Sequence, residues 1–367
     1  MPKIGGTTRY RSDRCESKPV EGPGTGGRAF GRSQNIAPDY EITAESLDHT
    51  SDTFEQELEK IAPDIVIHTA GPYQGQSYRV AEACIAIKAH YVDLADGREF
   101  VENFTQLDER ARVAGVLVVT GASTLPGLSS AVVDHLRDEF QSISSVRISI
   151  APAHQTPRGP GTISAVLSYC GKPFTVLENG VHTTRYGWQD LSLQHYPGLG
   201  KRLSAACDVP DLSILATHLP GVRTVTFHAA LEARWEQLAL WSMAWFSRIG
   251  LVSSWSKLVP FFNYFSELLI RLGSDKGGMT MHLSGIDFEG KSKELVWHLT
   301  AENNHGPEVP CTPAIIIARK LARGEIETKG AIPCLGLINL EDFDLEVESF
   351  EISWQSGLEC MHRLSPI

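Results

Sequence analysis

Between residues 50 and 152, short apolar runs alternate with stretches of helical period, and this alternation constrains the fold more than any other feature of the chain. The runs are DIVIHTA (64–70), HYVDL (90–94), GVLVVTG (115–121) and SVRISIAP (145–152). A helix is expected after Asp52, its cap, with Glu55 three residues on. Further helical faces carry Val80, Ala83, Cys84 and Ile87, then Phe100, Phe104, Leu107 and Ala111, then Leu128, Val132 and Leu136. Strand and helix in turn, with β-branched runs too apolar for a half-solvated sheet, give an α/β fold with a doubly wound parallel sheet.

The flanks differ. Residues 1–36 show no helical or strand period and read as an irregular segment. A strand-like run, YEITAESL, occupies 40–47. Beyond 152 the alternation stops, and strand-like runs at 223–233, 279–285 and 294–301 suggest a mixed sheet. A helix is expected from Pro313 to Gly324. The organisation read from this is an irregular 1–36, a parallel-sheet domain over 37–152, an α+β substrate or dimerisation domain over 153–345 and a tail over 346–367.

With 44 acidic against 33 basic residues, a net charge of −11 excludes a nucleic-acid partner, because phosphate is repelled at long range. Seven scattered cysteines form no C-x-x-C pair, which suits free thiols in a reducing cytoplasm. No Cys/His cluster or HExxH motif argues for a metal. No apolar run is long enough for a membrane span.

Ligands of an open parallel sheet bind at the carboxyl ends of its strands. Three loops lie there. Thr69, Ala70, Gly71, Pro72 and Tyr73 follow the first run, and their small residues let a flat or anionic ligand reach the backbone. Asp93 and Asp96 follow the second; they could accept ribose hydroxyls or orient an amine, or Asp96 could cap the next helix and Asp93 bond Arg98. Gly121, Ala122, Ser123 and Thr124 open a third loop, too long and too poor in charge for a simple turn.

Together DIVIHTAGPYQGQSYRVAEACI, HYVDLADGREFV and VVTGASTLPGLSSAVVD resemble the saccharopine dehydrogenase-like oxidoreductases, and later runs such as GSDKGGM and NNHGPEVPCTPAIIIARKLARGE are similar to its bacterial branch. The resemblance covers about residues 60–345. It implies a Rossmann-like nucleotide domain, a second α/β domain over the cleft, and hydride transfer with NADP or NAD, NADP preferred. It also implies that 69–73 lie beside the ribose and pyrophosphate, 121–124 near the nicotinamide, and Asp93 and Asp96 at the cleft floor.

The N-terminus departs from this pattern. GPGTGG (22–27) has the spacing of a dinucleotide fingerprint but lacks a strand before it and a helix after it, and both are needed to aim such a turn. Gly31-Arg32-Ser33 matches the end of the family's second strand, where Arg32 could meet a 2′-phosphate. Two origins fit: a coding start in the wrong place, or a nucleotide domain that has lost its opening strand.

Asp96 and His305 are the remaining candidates for catalytic proton transfer. Lys172 reads as a solvated turn residue or a substrate anchor. Residues 234–272 hold four tryptophans, with Leu238, Trp241, Trp245 and Ile249 on one helix face. Burial against the second sheet, a homodimer contact and a membrane surface are all open for this region. The sequence thus reads as an NAD(P)-dependent oxidoreductase acting on a small amino- or hydroxy-bearing substrate. The alternative is a cofactor-deficient, non-catalytic relative that acts as an interaction or membrane-surface module.

Overall fold

Apolar runs such as Ile65–Ile67 and Leu117–Val119 favour the inside of a covered sheet. A computed structural model describes residues 47–156 and 158–358; in it Leu117–Thr120 is buried throughout, while Ile65–Ile67, in the last strand of a four-stranded order, are half-buried. The chain alternates α1 (Phe54–Ile61), β1 (Ile65–His68), α2 (Arg79–Ala86), β2 (His90–Asp93), α3 (Arg98–Glu102), α4 (Asp108–Ala114), β3 (Leu117–Thr120) and α5 (Ser129–Leu136). β1, β2 and β3 are parallel neighbours, with Ile65 opposite His90 and Tyr91 opposite Val118. Successive residues serve opposite faces. Tyr91 and Val118 join a core with Cys84, Phe100 and Phe104, while Val92, Leu117 and Val119 join a larger core that runs through α5.

The second part contains β4 (Ser142–Ala151), α6 (Pro160–Ser168), β5 (Pro173–Glu178), β6 (Val181–Tyr186), β7 (Ser192–Tyr196), β8 (Gly200–Ala206), α7 (Asp211–His218) and β9 (Thr224–Ala230). It continues with α8 (Arg234–Arg248), α9 (Val259–Leu269), β10 (Gly277–Ile286), β11 (Ser292–Ala301), α10 (Glu308–Ala322), β12 (Gly330–Pro333), α11 (Leu340–Val347) and β13 (Ile352–Leu358). Its mixed sheet runs β13-β11-β10-β4-β9-β5-β6, with β7 and β8 attached to β9. The pairs are antiparallel except β4 with β9.

Several sequence expectations are corrected. The run at 145–152 does not close the parallel sheet; β4 lies in the mixed sheet between β10 and β9. Its exposed Arg147 and half-buried Ile150 set it apart from Leu117–Thr120, which is buried throughout. The fourth parallel position is filled by β12 from far along the chain, with Ala331 opposite Val118. The parallel sheet thus draws one strand, residues 330–333, from outside the run of alternating strands and helices. Residues 352–358 are no tail but the edge strand β13, paired with β11. α10 starts at Glu308 and carries Pro313 inside; the Thr312 hydroxyl donates to the Glu308 carbonyl in the same turn. Thr53, not Asp52, precedes α1, and its hydroxyl bonds Glu57. GPGTGG, Arg32 and nearly all of 40–47 lie outside the described residues.

One buried acid joins the two parts. Asp211, at the start of α7, is fully enclosed and contacts Ser129 Oγ at the start of α5. Ser129 Oγ also lies 3.1 Å from the Pro126 carbonyl. A serine has one proton, so both contacts are satisfied at once when a neutral Asp211 donates to Ser129, which donates onward. Burial pushes the Asp211 carboxyl up to about 7. A folded pKa above the unfolded value makes the neutral acid the favoured form, so this group's contribution falls as pH rises from about 4 to about 7. Asp211→Asn keeps the relay without a charge. It is expected to flatten that pH dependence and to raise stability at pH 8 by on the order of 3 kcal/mol. Calorimetry at pH 5 and pH 8 checks this; equal melting temperatures for variant and wild type at both pH values would contradict it.

Candidate functional site

The three parallel strands end side by side, and one carboxylate fixes how the chain leaves them. Asp93 Oδ1 accepts Ala95 N at 2.9 Å, Gly121 N at 2.8 Å and Thr120 Oγ1 at 3.0 Å. Its own carbonyl accepts Ala122 N at 2.8 Å. Asp93 is 0% exposed, and burial pushes its carboxyl up to about 6. Oδ1 of Asp93 thus ties together the two loops it joins. Asp93 does not bond Arg98. Beneath it, Tyr91 Oη lies 2.9 Å from His68 Nδ1, and burial lowers the His68 imidazole to about 4, so the ring is neutral at ordinary pH.

The loops meet above this base. Gln74 Nε2 donates to Asp96 Oδ1 at 3.2 Å. At Gly97 a side chain would sit 3.3 Å from the Tyr73 carbonyl carbon, so the second loop runs directly against the first. At Gly121, with φ of 71°, it would come within 2.6 Å of Pro126 Cδ and 3.7 Å of the Ala95 carbonyl. Glycine is required at that turn.

Thr69, Gly71 and Asp96 are exposed, and Ala70, Pro72 and Thr124 are half-buried. Tyr73, Gly121, Ala122 and Ser123 are buried. Tyr73 points inward, donating its hydroxyl to the His68 carbonyl at 2.7 Å, so it supports the first loop from below. Asp96 does not cap α3: Gly97 holds the cap position and no side chain bonds there. Protein crowds the Asp96 carboxyl on most sides and raises its pKa, yet the residue keeps an open face.

The second part supplies the opposite wall. α6 begins at Pro160, and a side chain added at Gly161 would lie 3.6 Å from the Gly71 carbonyl. Arg98 clamps the two parts, donating to the Thr175 carbonyl at 2.7 Å and to Asp208 at 3.2 Å. Neither Pro160–Gly161 nor this role of Arg98 was signalled by the sequence, because both act across long sequence separations.

His305 lies elsewhere. Its Nδ1 accepts Glu351 N at 3.0 Å and its ring meets Phe350 edge-on at 5.3 Å, so it fastens the loop after β11 to the segment leading into β13. Lys172 is exposed in its turn. Among the described residues no group of three metal-ligating side chains occurs, and Cys84, Cys170, Cys207, Cys311 and Cys334 are free. A separate cavity of about 840 Å³ opens at the amino ends of the strands, between Pro63, Asp64, Lys88 and Leu321.

Residues 31–119 match the family described as saccharopine dehydrogenase NADP binding domain. The match begins after GPGTGG. No curated protein matches the chain. Among solved structures, apo saccharopine dehydrogenase (L-Glu forming) from Saccharomyces cerevisiae overlaps 89% of this chain and 92% of its own, at 14% identity and a TM-score of 0.60. A mutant meso-dapdh with DAP from Clostridium tetani covers 89% and 97%, at 14% identity and a TM-score of 0.37, too distant a likeness to bear weight. Residues 31–119 thus carry the sequence pattern of that nucleotide-binding domain, and the chain as a whole shares its fold with the yeast enzyme.

Proposed function

We propose that the chain is an NAD(P)-dependent oxidoreductase that moves a hydride to or from a small substrate bearing an amine or hydroxyl, with NADP the preferred cofactor. The observation that carries this reading is the convergence of 69–74, 93–97 and 121–124 at the carboxyl ends of the strands, with Thr69, Gly71 and Asp96 exposed and α6 against Gly71. The fit to a nucleotide is one of shape. Gly161 lets α6 approach the Gly71 carbonyl closely, and Gly121 turns the third loop tightly against Pro126.

The bound nicotinamide supplies the hydride chemistry. The chain's residues bind and orient. Thr69, Ala70, Gly71 and Pro72 offer backbone groups and one hydroxyl to the ribose and phosphate portion, and Ser123 and Thr124 offer hydroxyls to the nicotinamide end. Gly121 and Ala122 pack beneath them. Asp96 Oδ1 is held by Gln74, and its other oxygen is the group placed to hold the proton of a reacting amine or alcohol. Free thiols among the described cysteines fit work in a reducing cytoplasm.

Titration of the purified protein with NADPH and NADH, read by nicotinamide fluorescence, tests this. Saturable binding is expected, tighter for NADPH. No binding of either up to millimolar concentration would overturn the reading in favour of the non-catalytic relative.

A further inference from the structure

Among the described residues, the segment that holds α8 and α9 has a surface that contradicts its composition. Of the seventeen large hydrophobic side chains exposed among the described residues, twelve lie between Trp235 and Leu272. Leu238, Trp245 and Ile249, read as sharing one helix face, are 46%, 39% and 59% exposed. α9 (VPFFNYFSELL) has no buried residue at all. A helix this apolar is ordinarily enclosed, and an exposed patch well beyond a few hundred Å² marks a surface that meets something. Another face of α8 does meet the core, where Ala244 is buried and Leu240 and Met243 pack against it.

The charges say what kind of surface it meets. From 245 to 272 the charged residues are Arg248, Lys257, Glu267 and Arg271, a positive excess in a chain of net charge −11. Lys257 and Arg271 flank α9 on either side. A second copy docked face to face would bring these cations against themselves, because a two-fold interface pairs the patch with its own image. Aromatic and aliphatic side chains bounded by cations instead match the boundary of a bilayer with anionic headgroups. No helix among the described residues is long and apolar enough to cross a membrane, so the contact is peripheral.

We propose that α8 and α9 dock this protein on an anionic lipid surface, with Phe261, Phe265 and Leu268 entering the headgroup region and Lys257 and Arg271 meeting phosphate. α9 packs on α6, the helix that faces Gly71, so docking places the lipid beside the wall of the cleft. The inference stands independently of cofactor binding.

The full chain is sedimented with phosphatidylcholine vesicles with and without phosphatidylserine. It is expected to bind the phosphatidylserine vesicles and to be released by salt. Phe261→Ser with Phe265→Ser should weaken partition by about tenfold or more. Lys257→Glu with Arg271→Glu should abolish the preference for phosphatidylserine. These side chains are exposed, so melting temperatures should not change; if the serine variant melts early, the charge variant carries the test. No binding of the wild type at saturating lipid, or equal binding by the variants, would overturn the proposal. So would a dimer in light scattering that the Phe261/Phe265 substitutions split, which would assign the patch to a second copy.

Discussion

Replacing Asp93 by alanine is expected to lower stability by about 3 kcal/mol or more, because it strands three buried donors at once. Ala95 N–H, Gly121 N–H and the Thr120 hydroxyl all end on one oxygen of this carboxylate, and no water reaches a residue that is 0% exposed. Some of the loss is offset because the variant no longer buries a charge. Asp93→Asn separates the two effects, since its carbonyl oxygen can take the same three donors without ionising. The pH dependence gives a second readout. The Asp93 pKa is about 6 in the folded chain, above its ordinary value, so its contribution is greatest at low pH and declines as pH rises through that window. Urea unfolding at pH 5 and pH 8 should show alanine far below wild type at both, and asparagine close to wild type with a flatter dependence. A loss below about 1 kcal/mol for alanine would mean that Asp93 does not hold the turn.

The second large effect is expected at Gly121. A side chain there starts 2.6 Å from Pro126 Cδ, on a backbone with φ of 71°. Valine would combine the left-handed penalty of a β-branched residue with a clash against a rigid ring, together about 3 kcal/mol. The displaced loop carries Ser123 and Thr124, so NADPH affinity should fall by about tenfold or more. Gly115 supplies the control. It has φ of 77° at the end of α4, but nothing lies within 4 Å of an added side chain. Gly115→Val should cost only the backbone penalty, about 1–2 kcal/mol, and leave affinity unchanged. Equal losses of affinity in the two variants would show that the Gly121 loop has no special place in binding.

The parallel strands were legible because Ile65–Ile67 and Leu117–Val119 are too apolar for any other use. Their neighbours were less so. β4 looks like one more strand in the series, and only its alternation of Val146, Arg147 and Ile148 hints at another sheet. β12 is four residues, Gly-Ala-Ile-Pro, and takes its meaning wholly from pairing with β3 more than two hundred residues earlier. The strand-end loops could be named from position alone, but their inward and outward residues could not. Nothing local separates Asp93, which is enclosed, from Asp96, which faces the cleft, since the difference comes from the turn at Gly121. The aromatic segment was left open between core, dimer and membrane, because its composition is that of a core and nothing local says which side chains stay outside.

Hydrogen exchange with and without saturating NADPH tests the central claim most directly. The account predicts slowed exchange in 69–74, 93–97 and 121–125 together, with little change at the amino ends of the strands. Protection centred instead on the cavity around Pro63, Asp64 and Lys88, with those three loops unaffected, would contradict it.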